Sequence, residues 1–138
     1  MVCGDGAQEQ VDALGRFGYD LGLAFQIVDD VLDFTGDAAT LGKPAGNDLR
    51  EGTITLPLIY AVEWGGSALA AIVDEQPPNE ARIAWAIAEV QRLGGTERAL
   101  EDARRYAERA MTHLDGFPDS AAKNELGEIA RFVVTRGA

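Results

Sequence analysis

Apolar residues recur at three- and four-residue spacing along most of the chain, and no segment sustains the alternation of a half-buried strand. "AQEQVDALGRFGYDLGLAFQIVDDVLDF" predicts one long helix over residues 7–34, ended by "TGD". A Gly-rich connection follows, "TGDAATLGKPAGNDLREGT", too long for a simple turn between bundle helices and therefore a candidate for function. "TLPLIYAVEW" carries Pro57 in its first turn, where proline is tolerated, and stops at Gly65-Gly66. "SALAAIVDE" predicts a short helix begun by Ser67 and stopped by Pro77-Pro78. Asn79 caps "EARIAWAIAEVQRL", which Gly94-Gly95 terminate. Thr96 opens "ERALEDARRYAERAMTHLDGF", and a last helix covers residues 120–135. The expected fold class is all-α, a helical bundle in a single domain over residues 1–138, without internal repeats.

The first helix combines two properties that conflict. With about 100° per residue and Gln26 as reference, Asp29, Asp30, Asp33 and Asp37 fall within about 60° of one line. Tyr19 and Gly22 share that side. Phe25, Ile27, Val28, Val31, Leu32 and Phe34 occupy the rest, so the helix reads as buried except for one acidic strip. Aspartate is a poor interior helix former, by roughly 0.7 kcal/mol relative to alanine. Two carboxylates ~6 Å apart in a partly buried cleft repel by about 3 kcal/mol at an effective dielectric near 20. They also lie near the helix C-terminus, the wrong end of the macrodipole for anions. No Lys or Arg follows until Lys43. Either water solvates the strip, or a hard divalent cation, Mg²⁺ or Ca²⁺, offsets it.

Composition narrows the function classes. The 138 residues are enough for one domain, and 46% hydrophobic with 25% charged residues is ordinary for a globular protein. A net charge of −11 argues against nucleic acid or an anionic membrane as the main partner. The single cysteine, Cys3, excludes an intrachain disulfide and a cysteine-built metal site, and a reducing, cytoplasmic location is expected. No run approaches the ~18 apolar residues of a membrane span, and the start has no signal-peptide pattern. "GDAATLGKP" fails as a phosphate loop: five residues separate Gly36 from Gly42, and Pro44 stands where Ser or Thr would bind metal. It also lacks the terminal acidic ligand of a calcium loop. His113, alone on a charged helix, reads as a surface residue, and "ERALEDARRYAER" as a solvated, ion-paired face.

Two blocks, "GYDLGLAFQIVDDVLDFTGD" and "TLGKPAGNDLREGTITLPLIYAV", resemble the trans-polyprenyl diphosphate synthases in order and spacing. The first is similar to that family's second aspartate-rich motif with its preceding Phe-Gln. The second is similar to the loop and helix after it. The resemblance implies part of the all-α isoprenoid (terpenoid) synthase fold. It implies that Asp29, Asp30 and Asp33 help hold Mg²⁺ against a diphosphate, with Asp29 the most direct ligand. By the same resemblance Phe25 and Gln26 lie at the substrate and Lys43 contacts the allylic diphosphate, while Asp37 has no counterpart. Thr53 stands where the family often has a lysine. The implied reaction is condensation of isopentenyl diphosphate with an allylic diphosphate, in which metal ions and basic side chains neutralise the departing diphosphate.

The resemblance covers nearly all of the chain but less than half of a usual family member. No second D-D-x-x-D occurs, so the wall carrying the first aspartate-rich motif is absent. The chain alone is therefore expected to be inactive, and to associate with itself or with a chain supplying the N-terminal half. A catalytically silent partner subunit, or an inactive fragment of a synthase, is the competing expectation, and an unrelated acidic metal-binding module a third.

Overall fold

Two helices of this chain start where a polar side chain satisfies their first amides. In the computed structural model, which describes residues 5–36 and 45–136, Asn79 accepts hydrogen bonds from the amides of Ala81 at 2.9 Å and Arg82 at 3.3 Å. Ser120 caps in the same way, accepting from Lys123 N at 3.1 Å. The elements are α1 (Asp5–Thr35), α2 (Asn47–Arg50), α3 (Leu56–Glu63), a 3-10 helix (Ser67–Asp74), α4 (Glu80–Arg92), α5 (Gly95–Thr112) and α6 (Ala121–Thr135). Among the described residues there is no strand. No helix among them is long and apolar enough to cross a membrane.

The elements depart from the sequence expectation in three places. Residues 67–74 wind as a 3-10 helix rather than an α-helix. Gly95 does not end α4 but begins α5. A Cβ on Gly95 would run into the Pro57 carbonyl oxygen, so glycine here allows α5 to start against the backbone of α3. The four-residue α2, inside the Gly-rich connection, has no periodic signal at all.

The chain packs as two units, one taking in Asp29–Glu101 and the other the residues before and after it. In the central unit Phe34, Leu49, Leu58, Leu69, Ile72, Ile83 and Val90 form a buried core. The 3-10 helix packs on both α3 and α4. The end of α1 is closed by this unit. The Gln91 side-chain amide donates to the Phe34 carbonyl at 2.8 Å, Gly46 N to that of Asp33 at 2.8 Å, and Gly36 N to that of Leu32 at 2.7 Å. Those carbonyls have no partner within an ideal helix terminus.

In the other unit the core is Phe17, Ala110, Leu114 and Ala130, with Leu21, Met111, Phe117 and Leu126 against it. Ion pairing extends this packing. Asp20, 4% exposed, receives Arg109 Nε at 3.0 Å and Nη2 at 2.8 Å, with His113 Nε2 2.8 Å away. His113 is thus half-buried and engaged rather than a surface residue. The "ERALEDARRYAER" helix likewise turns one of its arginines onto a buried carboxylate.

α1 is not buried nearly all round. Phe17, Ala24, Val28, Val31 and Phe34 face inward, whereas Val11 (62% exposed), Gly15, Gly18, Tyr19 (68%), Gly22, Phe25 (47%), Gln26 and Asp29 are open to solvent. The open side includes large apolar groups as well as Asp29.

Candidate functional site

The three aspartates of D-D-x-x-D occupy different surroundings. Asp29 is exposed, Asp30 is half-buried, and Asp33 is only 1% exposed. The helical period alone would put Asp33 near the middle of the open face, about 20° from Gln26. What covers it is the returning chain. Asn47 N donates to Asp33 Oδ1 at 3.2 Å and Asp48 N to Oδ2 at 3.0 Å, so both carboxylate oxygens accept from backbone amides. The same turn is tied again through Gly46 N to the Asp33 carbonyl.

Local sequence explains why the turn fits. Gly46 has φ 80 and ψ 18, in the left-handed region that non-glycine residues avoid. A Cβ there would lie 2.8 Å from both Ile83 Cγ2 and Ile87 Cδ1. Arg50 closes the segment, donating to the Ala45 carbonyl at 2.8 Å and forking onto Glu80 at 2.7 and 2.6 Å. The Glu80 hydrogen bonds, with help from the nearby Asp33 charge, hold the Arg50 pKa above its ordinary value. Glu80 is correspondingly held below the usual carboxylate range by Arg50.

Gln26 and Phe25 stand on the open face one turn before the carboxylates. Phe25 has a partner that sequence reading missed. The Arg136 guanidinium lies 4.3 Å from its ring centroid, and Arg136 Nη2 reaches the Phe25 carbonyl at 3.5 Å. At a separation of 111 positions, no local signal could have paired the two. Lys43 and Asp37 lie outside the described residues.

Among the described residues no three His, Cys, Asp or Glu side chains gather into a metal cage. The donor set at Asp29 and Asp30 nonetheless suits Mg²⁺. That ion keeps several waters and is bound by one or two carboxylates together with substrate phosphates, rather than by an all-protein shell. A cleft of about 690 Å³ lies beside Arg16, Tyr19, Asp20, Arg109 and His113.

Comparison with known proteins decides the family. Residues 1–90 match the family model described as polyprenyl synthetase. The chain belongs to the polyprenyl synthetase family. It is 40% identical over 128 residues to heptaprenyl diphosphate synthase component 2 of Geobacillus stearothermophilus, covering 91% of this chain and 39% of that protein. Against mitochondrial solanesyl-diphosphate synthase 1 of Oryza sativa subsp. japonica it is 40% identical over 127 residues, 88% of this chain and 29% of the relative. Among solved structures it resembles the Caulobacter crescentus CB15 polyprenyl synthase complexed with calcium and isoprenyl diphosphate. The TM-score is 0.85 at 37% identity, covering 92% of this chain and 40% of that one. The Staphylococcus aureus heptaprenyl diphosphate synthase gives the same TM-score at 28% identity. The fold is accordingly the all-α isoprenoid synthase fold of these proteins. The chain spans less than half the length of the relatives it matches.

Proposed function

We propose that this chain supplies the second metal–diphosphate wall of a Mg²⁺-dependent prenyltransferase, one that condenses isopentenyl diphosphate with an allylic diphosphate. The supporting observation is the placement of Asp29 and Asp30 at the end of the open face of α1, within a sequence block of a family whose relatives are prenyl diphosphate synthases. Asp29 and Asp30 would hold Mg²⁺ against the diphosphate. Gln26, a turn earlier, presents an amide that donates to phosphate oxygen. Phe25 offers an apolar ring on the same face, and Lys43 would add a point charge to the diphosphate by the family resemblance. Bound Mg²⁺ would stabilise negative charge on the leaving diphosphate. The residues named here act by positioning that group and by charge.

The other wall, bearing a first aspartate-rich motif, would come from a second polypeptide segment. The Geobacillus relative is named as one component of a synthase, which favours a chain that works alongside another. The same name leaves room for a partner-subunit role in which this chain itself turns nothing over, with its exposed apolar side chains docking the catalytic chain.

The reading is tested with Mn²⁺ as a paramagnetic substitute and inorganic diphosphate as ligand. Water-proton relaxation should report a ternary complex on the native chain and at least a tenfold weaker one on Asp29→Ala. Equal relaxation for the two would refute the assignment of Asp29.

A further inference from the structure

Asp33 carries the third carboxylate of the motif, yet it is 1% exposed, where Asp29 is exposed and Asp30 half-buried. We infer that Asp33 is a positioning residue rather than a metal ligand: its carboxylate is a fixed seat for the Gly46–Asp48 turn against the end of α1. The inference deepens the proposed function, on which its metal arm rests, and its backbone arm is independent of any metal.

The argument starts from burial. A carboxylate that is 1% exposed needs hydrogen-bond donors, since burying one without them is strongly disfavoured. Here two donors are present at once, one on each oxygen, and both are backbone amides from residues 14 and 15 positions later in the chain. A ligand to an exposed cation has to turn its oxygens outward. These oxygens are turned into the chain.

Three further constraints fall on the same turn. The Asp33 carbonyl takes Gly46 N, the left-handed Gly46 backbone leaves no room for a side chain beside Ile83 and Ile87, and Arg50 clasps the Ala45 carbonyl while anchored on Glu80. Main-chain and side-chain atoms of one residue, Asp33, thus hold three successive amides, those of Gly46, Asn47 and Asp48. That residue sits one helical turn after Asp29 and Asp30. Its consequence for the site is positional: the last turn of α1, one turn beyond Asp29 and Asp30, is fixed from the side by a turn of chain locked onto Asp33.

The test separates seat from ligand in the full chain. Asp33→Asn is isosteric, but its Nδ2 is a donor facing an amide that is also a donor. Hydrogen exchange resolved at single amides should show Asn47 and Asp48 exchanging at least tenfold faster than in the native chain, with the mid-α4 amides unchanged. Mn²⁺ affinity, read by relaxation, should stay within threefold of native, while Asp29→Asn should lose at least tenfold and leave the two amides protected. Asp33→Glu keeps the charge but lengthens the arm by one methylene, and it should raise the same two exchange rates with metal affinity retained. This second variant decides the matter should Asp33→Asn not fold. Unchanged exchange at Asn47 and Asp48 in a folded variant overturns the inference. So does loss of Mn²⁺ affinity in Asp33→Asn equal to that of Asp29→Asn, whatever the amides do. If the native chain binds no Mn²⁺, it is the metal reading of Asp29 that fails, and the exchange rates alone decide the seat.

Discussion

A buried carboxylate can be met by side chains or by backbone, and α1 contains both solutions. Asp33 uses amides, while Asp20 uses the Arg109 fork and His113. For Asp20 the Arg109 hydrogen bonds outweigh burial and hold its pKa below the usual carboxylate value. The folded value is lowered relative to the unfolded one, so Asp20 stabilises the fold fully above the unfolded pKa. That contribution is lost as pH falls through the lowered folded pKa. Replacing Asp20 by Asn should therefore destabilise the chain by about 1–2 kcal/mol near neutral pH, toward the low end because Arg109 is largely exposed and screened. The difference between variant and native urea midpoints should shrink on acidification below the ordinary aspartate range. A difference constant from pH 7 to pH 2 would contradict this account of Asp20.

Elements in this chain are held by features of very different sequence range. The long α1, the Asn79 cap of α4 and the Ser120 cap of α6 are legible from residues within a turn or two, because periodicity and capping are local. The turn at Gly46 is not. Its left-handed backbone could be guessed from glycine, but its requirement comes from Ile83 and Ile87, some forty residues away in sequence. Gly46→Ala should cost about 2–4 kcal/mol, combining the left-handed penalty with overpacking against the two isoleucines. Urea denaturation with an unchanged m-value would read it, and a loss under about 0.5 kcal/mol would mean that the turn relaxes freely. The 3-10 helix over Ser67–Asp74 was equally hidden: an eight-residue apolar segment packed on two helices carries no period that distinguishes the two windings.

At the scale of the molecule, the all-α class, the family and the strip bearing Asp29 could be read from sequence, because pattern and motif are carried by contiguous residues. What separates Asp33 from Asp29 could not, because a helical wheel has no term for a chain that folds back over its own face. Nor could the Arg136 contact with the Phe25 ring, which pairs residues 111 positions apart. The open face of α1, with Val11, Tyr19 and Phe25 exposed beside Gln26 and Asp29, belongs to a chain that spans 39% of its Geobacillus relative. We propose that this face ends in a half-site for a metal–diphosphate. The first measurement to make is titration calorimetry of the chain with an unreactive allylic diphosphate analogue, with and without Mg²⁺ and beside Asp29→Ala. Binding should require Mg²⁺ and fall at least tenfold in the variant. Equal binding without metal, or in Asp29→Ala, would refute the half-site.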